Sequence, residues 1–415
     1  MQTLEQLRNG ELTGVKRLDL TENLSQFPQE IFNLADSLET LDLSNNQLSE
    51  LPDDLERLHN LKILFCSNNQ FTRLPAMLSR CPKLEMIGFK SNKIEVVPAE
   101  SLPLQTRWLI LTDNKITQLP ERLGELKRLE KLALAGNLIT ELPSSLHHCH
   151  QLGLIRLSAN KLTRFPDVLL DLPKLAWLAF SGNPFCQDSK QVGQIQQLKA
   201  SEFRLKEVLG QGASGVISRA LVEKQTSTSS LPNEVAVKVF KGEVTSDGYP
   251  EDELDACLST GDHPNLVKPL AQIQEENYSA LVMELIPSHY KNLGQPPSLS
   301  SCTRDTFTQG QSFNINEIQK IVSQMKSLLE HFAQKCVSHG DLYAHNVLID
   351  KEAHILFGDF GAASKYKNLE DYQQAGIQAI EKRAYNYFVE DMLSLCLEED
   401  KHSSDYLTLV NSIQA

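Results

Sequence analysis

The sequence lacks the features that mark membrane-spanning and secreted proteins. No apolar run among the 415 residues reaches the roughly 18 needed to cross a bilayer. The opening stretch, MQTLEQLRNGEL, has neither the basic region nor the apolar core of a signal peptide. The eight cysteines are scattered without a CxxC pair, which is typical of reduced thiols. We therefore expect a cytoplasmic protein with no membrane association.

Basic residues are also scarce, and the shortage is confined to one half of the chain. Residues 1–200 contain 22 Lys and Arg against 23 Asp and Glu, the rest contain 18 against 30, and the formal net charge is −13. An acidic half repels phosphate groups, so we expect no nucleic-acid partner. The charge could attract a basic protein substrate or could simply keep this half soluble.

The first half of the sequence contains a repeat with a fixed period. Leucines in the pattern LxxLxL precede most of the repeating asparagines, and a proline follows most of them six residues later. The asparagines, spaced by 22 or 23 residues, are Asn23, Asn46, Asn69, Asn92, Asn114, Asn137, Asn160 and Asn183. This pattern, with a final GNPF at 182–185, resembles the leucine-rich-repeat family over about residues 15–186.

The resemblance implies an α/β solenoid of about eight 23-residue repeats over residues 1–186, with parallel strands on its concave face. An xLxLx strand sends its leucines to one side, where stacked repeats bury one continuous core. We expect each asparagine to hydrogen-bond the backbone of a neighbouring turn. By register, Cys66, Cys81 and Cys149 are small core residues. The cluster 147–150 (HHCH) then favours surface histidines beside a core thiol over a metal site.

The outward-facing strand positions are polar in the first two repeats and apolar from the third onward. The apolar positions include Phe65, Met86, Trp108 and Trp177. Exposed aromatic residues on the concave face of a solenoid are typical of a protein-binding site. Two occupants stay open: a protein partner or substrate, and the chain's own second domain.

A glycine-rich segment follows a polar, glutamine-rich stretch at 187–202 that predicts a linker or a short capping helix. Residues 209–217 (LGQGASGVI) contain G-x-G-x-x-G. A dinucleotide-binding turn has a similar pattern. Here, however, both flanks are strand-like and no helix pattern opens at the third glycine, which favours a hairpin lying over phosphates. Glycines in such a hairpin let backbone amides approach the nucleotide.

Four further motifs follow the glycine-rich segment in a fixed order. They are VAVK at 235–238, HPNLV at 263–267, HGDLYAHN at 339–346 and GDFG at 358–361. Together with the glycines they resemble the protein-kinase superfamily over about residues 203–415. The resemblance implies a two-lobed α+β domain that uses ATP and Mg²⁺. Its C-terminal lobe is expected to be short, since 56 residues follow Asp359.

The resemblance also implies a role for each motif residue. Lys238 would contact the α- and β-phosphates and pair with Glu253, with Glu251 as the second choice. Asp341 would orient the substrate hydroxyl, and Asn346 and Asp359 would hold Mg²⁺. The expected nucleotide-binding residues are Gly210, Gly212, Gly215, Ile217, Ala236, Lys238, Met283, Glu284, Ile286 and Leu348.

Several positions depart from the common kinase pattern. Gly340 stands where an arginine is usual before the catalytic aspartate, and Tyr343 stands where serine/threonine kinases have lysine. His345 could replace that missing charge or could only pack. Residues 287–311 predict a mobile loop near the cleft mouth, and Asp391 resembles the aspartate that braces the catalytic loop from the next helix.

These motifs predict an ATP-dependent protein kinase, serine/threonine-directed, whose repeats select a protein. Two other functions stay open. One is a small-molecule kinase of the aminoglycoside or choline type, which shares the H-G-D-L-x-x-x-N form. The other is a nucleotide-binding scaffold without catalysis, although such a scaffold would not need Lys238, Asp341, Asn346 and Asp359 together.

Overall fold

The structure is a computed structural model that describes residues 2–186, 195–212, 214–223, 231–241, 244–245 and 247–414. It contains two compact units. One comprises Met1–Leu175 with Asn183–Phe185, and the other comprises Ala176–Gly182 with Cys186–Ala415. The N-terminal half of the predicted linker, residues 187–194, lies outside the described residues.

Short parallel strands form one eight-stranded sheet in chain order, as the repeat predicts. Each strand has three residues and a buried central aliphatic residue, such as Leu18, Leu41 or Leu64. A short helix, α1 (Leu4–Arg8), precedes the sheet. The strands are β1 (Arg17–Asp19), β2 (Thr40–Asp42), β3 (Ile63–Phe65), β4 (Met86–Gly88), β5 (Trp108–Ile110), β6 (Lys131–Ala133), β7 (Leu154–Arg156) and β8 (Trp177–Ala179).

Short 3₁₀ helices connect the strands on the other side of each repeat. Several begin directly after one of the recurring prolines, for example Pro75, Pro120 and Pro143. Proline suits this position because its fixed φ directs the chain into the turn. The helices span Gln29–Leu34, Leu55–Arg57, Ala76–Arg80, Ala99–Ser101, Glu121–Glu125, Ser144–His148, Asp167–Leu169 and Pro184–Cys186.

The recurring asparagines satisfy backbone groups of neighbouring repeats, which confirms their predicted structural role. Asn69 donates through Nδ2 to the carbonyls of Leu43 (2.9 Å) and Cys66 (3.1 Å). Its Oδ1 accepts from the amide of Leu48 at 2.8 Å. Asn46, Asn114 and Asn160 make the corresponding bonds. Asn23 departs from the pattern, since it is exposed and has a positive φ of 58°.

The predicted core cysteines and concave-face residues have different outcomes. Cys66, Cys81 and Cys149 are buried free thiols, and burial raises the pKa of Cys149 to about 11. Phe65 and Trp108 are half-buried, as a binding face requires. Met86 and Trp177 are only 1% and 2% exposed, so neither offers surface to a partner. For Trp177, which belongs to the second unit, this agrees with the other occupant left open, the chain's own second domain.

After β8, the next part of the second unit is a six-stranded sheet. Its order is β10-β11-β12-β14-β13-β9, and its apolar core includes Val235, Val237 and Ile273. The strands are β9 (Gln196–Leu198), β10 (Phe203–Gln211), β11 (Gly215–Val222), β12 (Glu234–Phe240), β13 (Pro269–Glu275) and β14 (Tyr278–Met283). β9 falls in the predicted linker, where Leu198 is buried against this core and β9 pairs in parallel with β13.

Helices dominate the rest of the second unit. α3 begins at a capping box formed by Asn314 and Glu317 and buries residues at helical spacing, including Ile318, Met325 and Phe332. The helices are α2 (Pro250–Thr260), α3 (Ile315–Lys335), α4 (Asp371–Ser394) and α5 (Ser404–Gln414). The short strands are β15 (Lys291–Asn292), β16 (Val337–Ser338), β17 (Val347–Ile349), β18 (Ile355–Phe357) and β19 (Ser364–Lys365). Among the described helices, none combines the length and hydropathy of a membrane span.

Candidate active site

Lys238 lies at the centre of a buried charge cluster. It extends from β12 and contacts the carboxylate of Glu253 on α2, while its Nζ lies 3.4 Å from Oδ1 of Asp359. Burial alone would lower the pKa of Lys238, but the two carboxylates outweigh it and raise that pKa, so the ammonium stays charged. The structure thus brings Glu253, the first choice, to the lysine, whereas Glu251 is exposed.

The glycine-rich segment forms the predicted hairpin. β10 and β11 are antiparallel, and the amide of Gly212 donates to the carbonyl of Gly215 at 3.0 Å. A side chain at Gly215 would meet the carbonyl oxygen of Val239 at 2.5 Å, so only glycine fits there. Gly210 and Gly212 have open space above them. The hairpin therefore presents bare backbone at two positions, as a phosphate-covering loop requires.

The residues predicted to surround adenine lie on adjacent strands. Ile217 faces Lys238 across the β11–β12 ladder, and Ala236 pairs with Met283 across β12 and β14. Glu284 follows β14, and its amide donates to the carbonyl of Lys268 at 3.0 Å. Ile286 is half-buried two residues later, and Leu348 is half-buried on β17. These positions give apolar walls beside a backbone segment with amides and carbonyls.

The HPNLV turn joins the sheet to the segment that carries Asp359. Asn265 donates through Nδ2 to the carbonyl of Ile355 (2.9 Å) and to the Oε1 of Gln324 (2.7 Å). The amides of Val267 and Phe357 complete the connection, donating to the carbonyls of Phe357 and Asn265. β18 is thereby fixed directly before Asp359.

Asp341 and Asn346 are held together in the catalytic-loop motif. The Nδ2 of Asn346 donates to Oδ2 of Asp341 at 2.9 Å and to its carbonyl at 3.0 Å. A 3₁₀ turn, Ala344–Asn346, allows this approach. Asp359, whose side chain is 57% exposed, has a left-handed backbone with φ of 56°. Partial burial acts to raise its pKa, but Lys238 outweighs this and lowers it, so the carboxylate is ionised.

The donor atoms suit Mg²⁺ shared with a nucleotide. The two bonds donated by Asn346 turn its Oδ1 outward as an oxygen ligand, and Asp359 supplies a charged one. Among the described residues, no group of three or more His, Cys, Asp or Glu could hold a metal alone. A cation bound by Asn346 and Asp359 would therefore complete its coordination with phosphate oxygens and water.

Gly340 occupies a position where no side chain fits. Its φ is +71°, and a Cβ there would lie 2.5 Å from the carbonyl oxygen of Leu178 and 2.7 Å from that of Ala362. The loop is braced by Glu381 of α4, whose Oε1 accepts from the amides of His339 (2.9 Å) and Gly340 (3.1 Å). Burial raises the pKa of Glu381 to about 7, although these amides act in the opposite direction.

Asp391, which the sequence predicts to brace the catalytic loop, instead binds Arg304. It is bound by the guanidinium of Arg304, at 2.5 Å, and so fixes the segment predicted as a mobile loop. Burial raises the pKa of Asp391 to about 6, against the effect of Arg304. The sequence motifs do not identify Glu381 as the brace, because the amides that donate to it lie 41 and 42 positions earlier in the chain.

Tyr343 and His345 do not supply the charge that the missing lysine would bring. Tyr343 is buried, and its ring lies 5.0 Å from the ring of His345. His345 is bound through Nδ1 to Oδ1 of the fully buried Asp305 at 2.7 Å, and its amide donates to Oδ2 of Asp305. The packing alternative for His345 is therefore the one that the structure supports, and residues 304 and 305 have defined contacts.

Both halves of the chain are similar to known protein families. The protein kinase domain model matches residues 203–379, and the leucine-rich-repeat model matches residues 36–94 and 105–162. The chain therefore contains leucine-rich repeats followed by a protein kinase domain. A Listeria monocytogenes internalin structure is 26% identical over 40% of this chain and 48% of its own, with a TM-score of 0.35.

Several curated proteins are similar to less than half of this chain. Cell division control protein 7 of Schizosaccharomyces pombe is 26% identical over 44% of this chain and 16% of its own length. Probable serine/threonine-protein kinase PBL10 of Arabidopsis thaliana is 28% identical over 40% of both chains. Fibroblast growth factor receptor 1 of Xenopus laevis is 22% identical over 40% of this chain and 21% of its own. The chain thus matches well under half of the length of each.

Proposed function

We propose that this protein is an ATP- and Mg²⁺-dependent protein kinase that phosphorylates serine or threonine in a protein, in the cytoplasm. We further propose repeats over residues 1–186, a connection over 187–202 and the kinase domain over 203–415. The repeats would recognise the protein substrate or partner through the half-buried Phe65 and Trp108. The observation that carries the proposal is the contact of Lys238 with both Glu253 and Asp359.

That contact joins three distant parts of the chain into one charged site. The sheet supplies the lysine, α2 supplies Glu253, and the segment after β18 supplies Asp359. Glu253 orients the ammonium toward the cleft, where it can bind phosphate oxygens. Bound Mg²⁺ neutralises charge on the β- and γ-phosphates. Lys238 and Glu253 are both buried, and a buried charge costs free energy unless it is paired. A site that only bound a neutral ligand would gain nothing from this buried pair.

Asp341 is the residue placed to act on the acceptor. It is half-exposed, and Asn346 fixes its carboxylate by one side-chain bond and its carbonyl by another. We infer that this carboxylate accepts the hydrogen bond of the incoming hydroxyl and aligns the oxygen with the γ-phosphate. The acceptor hydroxyl gives its proton to the carboxylate of Asp341 as its oxygen bonds to the γ-phosphorus. The bond between the γ-phosphorus and the bridging oxygen breaks, and ADP leaves with that oxygen.

The departures from the common motif do not favour a small-molecule acceptor. No side chain fits at Gly340 because of the close carbonyl oxygens of Leu178 and Ala362, and Tyr343 is buried with its ring stacked on Trp177. Both substitutions therefore have a cause inside the fold. The repeat part supports a protein acceptor, because a solenoid surface suits protein recognition.

The first experiment measures transfer of labelled γ-phosphate from Mg·ATP by wild type and by Asp341→Asn. Generic protein substrates and a lysate are supplied, and label in protein and in small molecules is counted separately. Loss of a positioned acid–base group should lower transfer by about 10² to 10⁴, while nucleotide binding persists. Asp371→Asn is the matched control, since Asp371 is exposed at the start of α4.

The outcomes separate the candidate functions. Label in protein that is lost with Asp341→Asn supports a protein kinase, and acid hydrolysis of that label identifies the phosphorylated amino acid. Label only in small molecules would overturn the protein acceptor. Transfer that is equal in wild type and Asp341→Asn would overturn the role of Asp341.

A further inference from the structure

Strand β8 belongs to the same compact unit as the candidate active site. The repeat period assigns Trp177–Ala179 to the last repeat, but the second unit comprises Ala176–Gly182 together with Cys186–Ala415. Trp177 is 2% exposed. A large aromatic residue buried at this position has to be explained by its contacts within that unit.

Trp177 contacts the backbone and a side chain of the catalytic loop. Its indole Nε1–H donates to the carbonyl of Leu342 at 3.1 Å. Its ring is stacked on Tyr343, with centroids 4.5 Å apart and planes 7° apart. It also lies 5.4 Å from the ring of Tyr387 on α4, at 20°. Leu342 and Tyr343 directly follow Asp341, so these contacts fix the chain beside the carboxylate.

The strand segment 176–182 makes two further contacts near the candidate site, one with Ser364 and one with Gly340 of the catalytic loop. The hydroxyl of Ser364 accepts from the amides of Phe180 (2.9 Å) and Ser181 (3.1 Å), which anchors the stretch that follows Asp359. The carbonyl oxygen of Leu178 approaches Gly340 so closely that a Cβ would lie only 2.5 Å away. The missing side chain at Gly340 therefore makes room for this strand segment.

The stacked rings are held at both ends by neighbouring residues of one segment. The guanidinium of Arg304 lies 4.7 Å above the ring of Tyr387. Asp305 binds His345, which lies next to Tyr343 in the stack. Trp177 thus stands between α4 and the catalytic loop in a continuous set of contacts from Arg304 to Asp305.

We propose that Trp177 is a positioning residue for the catalytic loop, so that β8 is a working part of the kinase active centre. This inference rests on the proposed kinase function. Trp177 acts through Leu342 and Tyr343 by restricting where Asp341 can lie. The expected nucleotide residues lie outside residues 339–346, on or next to β10, β11, β12, β14 and β17, so disturbing Trp177 should affect turnover much more than nucleotide affinity.

The test uses the full chain with Trp177→Phe and Trp177→Ala. Phenylalanine keeps a stacking ring and removes only the N–H donor, so kcat should fall about fivefold, the factor for one lost hydrogen bond of about 1 kcal/mol. Alanine removes both contacts, and kcat should fall by about tenfold or more. The KM for ATP should stay within about twofold in both variants because the adenine and phosphate contacts are unchanged.

Hydrogen exchange supplies a second readout that does not depend on activity. Amides of residues 339–346 should exchange faster in Trp177→Phe than in wild type, while amides of β11 and β12 should not. Phe89→Leu is the control for general destabilisation, since Phe89 is fully buried in the repeat core. It should lower stability without changing kcat.

Each result supports or overturns the inference. An active wild type with unchanged kcat in both Trp177 variants would overturn it and leave the proposed function intact. Equal loss of kcat in Trp177→Phe and Phe89→Leu would also overturn it, since stability alone would explain both. An inactive wild type would overturn the proposed function. Hydrogen exchange would then be the remaining test of the inference. Unchanged protection of the amides of residues 339–346 in Trp177→Phe would overturn the positioning role.

Discussion

The brace formed by Glu381 gives a prediction whose size follows from the structure. Its carboxyl is 5% exposed, and burial raises its pKa from 4.5 to about 7. The backbone amides of His339 and Gly340 both donate to one oxygen of this carboxyl, Oε1. Glu381→Gln therefore keeps the acceptor and removes the ionisation. We expect this variant to fold with the catalytic loop in place and to differ from wild type in its response to pH.

The direction follows from proton binding. Between pH 4.5 and about 7 the folded state retains a proton on Glu381 that the unfolded state has lost, so the stability of wild type falls as pH rises through this window. The contribution of the neutral Glu381 carboxyl to stability is fully present below pH 4.5 and is lost above pH 7. Between pH 5 and 8 the loss amounts to about 2 to 3 kcal/mol. Glutamine does not titrate, so from pH 5 to pH 8 the free energy of unfolding of the variant should rise relative to that of wild type by this same amount, about 2 to 3 kcal/mol.

The assay is urea unfolding at pH 5 and pH 8, followed by tryptophan fluorescence. The sequence has two tryptophans, and replacing Trp108 by phenylalanine leaves Trp177 as the reporter of the second unit. The comparison is between Trp108→Phe and Trp108→Phe/Glu381→Gln, so other titrating groups cancel. A pH response equal in the two proteins within about 0.5 kcal/mol would refute the reasoning, because Glu381 would then titrate alike in both states.

Two further substitutions test packing elsewhere. Gly340→Ala should lower stability by about 1 to 3 kcal/mol and reduce transfer, because its Cβ would clash with carbonyl oxygens at 2.5 and 2.7 Å. Gly310→Ala shares a positive φ but meets nothing within 4 Å, so a loss as large there would refute the clash. Asn69→Ala should cost the repeats about 2 kcal/mol or more by leaving buried backbone groups unpaired. Thermal unfolding beside exposed Gln70→Ala checks this, and equal losses would contradict it.

The sequence predicts the fold best where the fold depends on local spacing. The 23-residue period locates the eight strands β1 to β8, and the motif order predicts Lys238, Asp341, Asn346 and Asp359 as candidate site residues. Even Glu253, 15 positions from Lys238, followed from helix placement before the HPN turn. The repeat contacts recur along the chain, whereas the contact of Lys238 with Asp359, 121 positions away, is implied only by the resemblance.

The errors have a common cause in contacts between distant residues. The strand alternation places Trp177 on an outward face without deciding what covers it, and its indole N–H donates to a carbonyl 165 residues away. Residues 287–311 have the composition of a loose loop, but Arg304 is fixed by acidic residues 86 and 87 positions later. Composition and periodicity describe one element at a time, so they do not specify which other element covers it.

These long-range contacts change what the unusual motif residues mean. Taken alone, Gly340 and Tyr343 look like losses of a charged kinase residue, and they favour either weak regulation or a different acceptor. In the fold, the absence of a side chain at Gly340 makes room for the strand segment 176–182, and the ring of Tyr343 stacks on Trp177 of that segment. The imidazole of His345 is bound by Asp305. A departure that is compensated by packing carries no information about the acceptor. We propose that the residues that bear on catalysis are Lys238, Asp341, Asn346 and Asp359, and the transfer experiment with Asp341→Asn tests both this role and the acceptor.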